Sequence, residues 1–116
     1  MSELGFRIVR EWGIANKRDR YNLVEAVGGQ NMSDLAGQRL HIKAYILVES
    51  PNPDTGEVVK SLKVLTEENE VVGTRSQSFI NGFERFLVLM ESDECTEFEI
   101  VKQKSNAGRN YITFKA

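Results

Sequence analysis

A small all-β barrel carrying one helix is the fold the sequence predicts, and three observations predict it. Apolar and polar residues alternate over five short segments after about residue 36. One segment between the third and fourth of these switches to helical spacing. Finally, 116 residues with 41% hydrophobic content supply one core and hardly two, so the whole chain, 1–116, reads as one domain.

The elements follow in order. Leu40 to Val48 alternates cleanly and is expected to turn Leu40, Ile42, Ala44, Ile46 and Val48 inward and His41, Lys43, Tyr45 and Leu47 outward. Pro51 and Pro53 then mark a surface loop. Val58 to Thr66 gives a second strand, with Leu62 and Val64 inward and Ser61, Lys63 and Leu65 outward, and the turn Glu67–Glu70 leads into a third, Val71 to Ser76. From Ser78 to Met90 the period changes. Phe79, Phe83, Phe86 and Met90 recur at intervals of four, three and four, which predicts an amphipathic helix entered through a serine cap, its aromatic stripe plugging the barrel end. Thr96 to Lys104 and Asn110 to Lys115 are the last two strands, joined by a Ser-Asn-Ala-Gly turn.

Residues 1–35 read as an N-terminal extension packed on a barrel formed by 36–116. Phe6 to Ile14, with Trp12 packing as a core or flank residue, suits one extra strand and Tyr21 to Val27 another, while the charges of Lys17 to Arg20 and the pair Gly28-Gly29 interrupt them.

The C-terminal hairpin carries the strongest chemical signal. Lys102, Lys104, Arg109 and Lys115 surround the turn together with Tyr111 and Phe114, and no carboxylate side chain intervenes. Phosphates attract such cations and unpaired bases stack on such rings, so the segment points to nucleic acid, whereas a plain reading is an edge strand kept soluble by charge. The net charge of −2 does not oppose this, because a polyanion responds to the local patch and the acids gather elsewhere, in Glu67–Glu70 and Glu91–Glu94.

Strand, strand, strand, helix, strand, strand is the order of the five-stranded Greek-key OB-fold, although other small α+β sheets share it. The segments Asp34-Leu-Ala-Gly-Gln-Arg-Leu-His-Ile42, Val71-Val-Gly-Thr-Arg-Ser-Gln-Ser-Phe79 and Lys102-Gln-Lys-Ser-Asn-Ala-Gly-Arg-Asn-Tyr111-Ile-Thr-Phe114 resemble the OB-fold single-stranded DNA-binding proteins of phages and mobile elements of Gram-positive bacteria, from about residue 32 onward. The resemblance implies a non-catalytic protein that coats single-stranded DNA during replication or recombination. The chain departs from better-known bacterial relatives of that function in lacking a Gly-rich tail with an acidic tip, so recruitment of replication proteins through such a tail is not expected.

On this barrel the expected base-stacking rings are Tyr45 and Tyr111, and the expected phosphate contacts are Lys43, Lys63, Arg75, Lys102, Lys104 and Arg109. Stacking accepts any base, so binding should be largely independent of sequence. Catalysis finds no support: His41 has no nucleophile motif near it, and no phosphate-binding glycine loop or metal-ligand spacing occurs, so neither enzyme activity nor a cofactor or metal is expected. Cys95, the one cysteine, has no partner for an internal disulfide. The start of the chain lacks a basic, apolar leader and no stretch reaches membrane-spanning length, so a cytoplasmic location is expected, that of a bacterial host if the chain is phage-encoded. Exposed edge strands allow a homodimer. The rival reading is a small β-barrel for protein–protein contact, such as a phage structural or accessory protein, using the apolar residues Leu47 and Leu65 on its outside.

Overall fold

The architecture follows from how a long strand with one irregularity is wrapped by its neighbours. The computed structural model describes residues 7–25, 29–52 and 54–116. Its elements are β1 (Arg7–Trp12), α1 (Lys17–Val24), β2 (Gln30–Asn31), a 3-10 turn (Met32–Leu35), β3 (Arg39–Pro51), β4 (Val58–Thr66), β5 (Val71–Thr74), α2 (Gln77–Leu89), β6 (Glu97–Lys104) and β7 (Asn110–Lys115). The strands run β2-β5-β4-β3-β6-β7, with β1 also paired to β3, in one curled mixed sheet that forms a half-barrel. The mostly-β class stands as expected. Among the described residues there are seven strands and two helices, where five barrel strands, two further strands in the N-terminal extension and one helix are predicted.

The N-terminal region accounts for the added elements. β1 pairs antiparallel with β3, from Arg7 opposite Glu49 to Trp12 opposite Tyr45. The strand expected over Tyr21–Val27 is instead the helix α1, up to Val24; residues 26 and 27 of that stretch lie outside the described residues. Asn16 decides this locally, because its side chain accepts the Asp19 N–H and caps a helix that the charged run Lys17–Arg20 begins.

β3 departs from simple alternation. Ile42 faces Thr66 on β4 and Ala44 faces Leu65, so Lys43 is an extra residue, a bulge that shifts the register by one. Beyond it every side chain changes face, and Tyr45 and Leu47 enter the core that Ala44, Ile46 and Val48 were expected to fill. Ala44 and Ile46 are buried as well, on the opposite face, where α1 packs over β3 and β4. The bulge has a counterpart in Gly13, which has φ +77°; a Cβ there would meet the Lys43 carbonyl oxygen at 2.2 Å.

Ser76 caps α2 by accepting the Phe79 N–H, so β5 ends at Thr74, before the predicted Ser76. Phe79, Ile80, Phe83 and Leu87 are buried and Phe86 packs beside them, as the helical stripe predicts. Met90 lies past the last helical residue and is exposed; Leu87 continues the stripe in its place. Phe114 of β7 meets Phe79 and Phe83 edge-on at ring-centroid distances of 5.7 Å, and Gly82 allows this approach, since a Cβ there would come within 3.1 Å of the Phe114 Cβ. No ladder joins β5 to β7 among the described residues. The seam between them is bridged by hydroxyls: Ser78 Oγ donates to the Ile112 carbonyl at 2.9 Å, and Ser76 Oγ to the same oxygen at 3.2 Å. No helix among the described residues is long and apolar enough to cross a membrane.

Candidate nucleic-acid interface

The β6–β7 ribbon forms because its turn satisfies its own backbone. The Ser105 N–H donates to the Arg109 carbonyl, the Arg109 N–H to Ser105 Oγ at 3.1 Å, and Gly108 takes the left-handed conformation, φ +82°, that closes the loop. β6 pairs with β3 only over Glu97–Glu99, so the part from Lys102 onward is held by β7 alone. The ribbon end is therefore a two-stranded projection.

Its pleat sorts the chemistry into two faces. Ile100 and Ile112 are buried, and Lys102 pairs with Ile112 and Lys104 with Asn110, so both lysines alternate onto the core-side face of the ribbon. Tyr111 pairs with Gln103 and shares the other face with Thr113 and Lys115. It is 38% exposed. Arg109 sits at the end of the turn, exposed. Lys102, Lys104, Arg109 and Lys115 have no hydrogen-bond or ion-pair partner for their side chains among the described residues.

Several cations elsewhere are committed. Arg7 pairs with Glu49, Arg10 with Asp93, Arg20 of α1 with Glu11, Arg39 with Glu97, and Lys60 with Glu84, and the His41 ring lies beside Glu97. The hydrogen bond from Arg39, together with its charge, holds the Glu97 carboxyl below the usual carboxylate range, with a smaller contribution from His41. The hairpin gathers on one ribbon four cations whose side chains have no hydrogen-bond or ion-pair partner, whereas Lys17 and Arg18 on α1, Arg75 after β5 and Arg85 on α2 are the others without one among the described residues.

Arg75 is exposed at the end of β5, and its neighbour Ser76 bonds to the carbonyl of Ile112, the residue after Tyr111. The seam thus brings Arg75 beside the Tyr111 strand. On its other side Arg75 lines a groove of about 380 Å³ with Lys63, Ser61, Gln30 and Asn31, floored by Gly73. Within that groove the Lys63 ammonium donates to the carbonyl of Val24, at the end of α1, where the helix dipole favours a cation. Lys63 is thereby engaged in holding α1. Lys43 stands apart from all of these, at a second cavity beside α1, with its ammonium donating to Asn69 Oδ1.

Tyr45 is a correction. The expected stacking ring is 0% exposed, packs edge-on against Phe83 at 4.9 Å and beside Trp12 at 6.2 Å, and donates its hydroxyl to the Asp93 carbonyl at 2.9 Å. Burial raises its pKa well above the ordinary phenol value. It presents no face to a ligand; the bulge at Lys43 has carried it to the inside. Leu47, expected outside as part of a contact surface, is buried by the same shift.

The groove residues Gln30 and Asn31 were missed by sequence reasoning. They belong to β2, a two-residue strand parallel to β5, and nothing in a dipeptide of polar residues after two glycines signals a strand. Neither a protein-family model, nor a curated protein, nor a solved structure matches the chain.

Proposed function

We propose that the chain binds single-stranded DNA, largely independently of base sequence, and protects it during phage or mobile-element replication or recombination. In this reading β3, β4, β5, β6 and β7 are the five strands of an OB-type Greek-key barrel, with α2 between the third and fourth and the β5–β7 closure made by serine hydroxyls instead of a ladder. The observation that carries it is the projecting hairpin: exposed Tyr111 shares its face with Lys115, Arg109 ends the turn and Lys102 and Lys104 lie on the reverse face, none of these cations paired among the described residues, and Arg75 stands across the seam. A strand passing over the ribbon meets a ring for a base and cations on either side of the pleat for its phosphates. DNA in preference to RNA follows from the family resemblance alone.

The test is a titration of fluorescent oligonucleotides. Single strands should bind, duplex of the same length should bind much more weakly, and affinity should fall steeply with added salt. Equal affinity for duplex, or no response to single strands, would overturn the reading. A second reading, a surface for another protein, is favoured by Val88, Leu89 and Met90, consecutive and exposed at the end of α2. Under it, oligonucleotides leave the protein unaffected and Leu89→Glu abolishes its association.

A further inference from the structure

α1 covers the outer face of β3 and β4 without filling the space beneath it. Leu23 is the one residue of the helix that is buried, and the sheet answers with the small side chain of Ala44. What remains is a cavity of about 500 Å³, within the range of about 300–1,000 Å³ usual for small-molecule sites. Its apolar lining is Leu23 and Ile14 on one side and Ala44, Leu65 and Val71 on the other. Its polar groups are Lys43, Asn69, Asn22 and Asp19. The roof is held by two polar ties, Lys63 to the Val24 carbonyl and Arg20 to Glu11, and not by a wide apolar contact.

We propose that this cavity is a subsite for one unstacked nucleobase of a 5′-phosphorylated nucleotide. The apolar walls suit the two faces of a flat ring, which is the part of a base that costs least to take from water. The carboxylate of Asp19 only accepts hydrogen bonds and therefore meets an edge carrying N–H groups; guanine offers two such groups side by side, N1–H and N2–H₂. Lys43, whose ammonium needs only to exchange the neutral Asn69 amide for a phosphate, supplies the charge-assisted bond. On this proposal Lys43 contacts a phosphate at a site separate from the hairpin.

The subsite rests on the proposed single-strand binding, and the experiment keeps the two apart. Methyl NMR spectra of the whole chain are followed while dGMP is added, with inorganic phosphate as the parallel probe. Methyls of Ile14, Leu23, Leu65 and Val71 should shift with dGMP and stay in place with phosphate. Lys43→Ala and Asp19→Asn, both at exposed positions that leave the core intact, should each weaken dGMP by about tenfold. No methyl shift with dGMP, the same shifts with phosphate, or dGMP binding unchanged in both variants overturns the subsite. An oligonucleotide that binds without moving these methyls removes the subsite and leaves the hairpin reading. Methyl shifts with dGMP in a chain that binds no oligonucleotide uphold the subsite and remove the hairpin reading.

Discussion

Tyr45 and Tyr111 are the same side chain on two strands, and their surroundings give them opposite work. Tyr45 is closed in by Phe83 and Trp12, and its hydroxyl is needed to satisfy the Asp93 carbonyl. Tyr45→Phe should lower unfolding free energy by about 1 kcal/mol in urea titrations, the usual net worth of a hydrogen bond, and leave oligonucleotide affinity unchanged. Tyr111→Ala should do the reverse: affinity for single strands falls by about 1–3 kcal/mol, as for loss of a stacked base, while the urea midpoint stays close to that of the parent. If Tyr111→Ala binds as tightly as the parent, the ring is only an edge-strand residue. Nothing in either tyrosine's immediate sequence separates these cases, since both sit among alternating neighbours.

Among the elements, β3 and its bulge govern the most. The extra residue at Lys43 turns Tyr45 and Leu47 inward, and Gly13 must lie without a side chain against the Lys43 carbonyl for β1 and α1 to pass. Gly13→Ala combines a backbone clash with a left-handed conformation and should cost about 1–3 kcal/mol or more by calorimetry or urea unfolding. Retention of full stability would mean that β1 and α1 do not pass there as described. Gly82 in α2 is a milder case. There the gain in helix propensity from alanine, about 1 kcal/mol, works against the close Phe114 Cβ, so Gly82→Ala should stay within about 1 kcal/mol of the parent, whereas Gly82→Leu should lose about 1–3 kcal/mol. The helix was legible because a stripe of large apolar residues at intervals of three and four has one geometric meaning. α1 was not, because its order comes from the Asn16 cap and from packing on β3 and β4, and its own sequence is polar nearly all round.

At the level of the whole molecule, charge and burial make separate predictions. If Arg75, Lys102, Lys104 and Arg109 each neutralise a phosphate, log affinity against log salt should have a slope near about −3, and Arg109→Ala should flatten it by about 0.7. A slope near zero would exclude a phosphate-driven interface. Stability should also fall in alkali. Burial pushes the Cys95 thiol up from its ordinary 9.0 to about 11, so the folded state holds a proton that the unfolded chain gives up; the contribution is complete below pH 9 and is lost as pH rises towards 11. Cys95→Ala should reduce the decline in unfolding free energy over that interval, with Tyr45, shifted in the same direction, accounting for part of what remains.

Local pattern by itself determined the mostly-β class, β4 with its faces, the aromatic helix and the basic ribbon around Tyr111, because each is written in spacing that neighbouring residues enforce on one another. Only the tertiary structure decided which cations stay unpaired, which tyrosine is buried, and that a polar helix roofs a cavity on the outer sheet face. Those outcomes depend on partners far apart in sequence, such as Arg39 with Glu97, Gly13 with Lys43 and Lys63 with Val24, and on a single inserted residue whose effect on side-chain direction alternation cannot register.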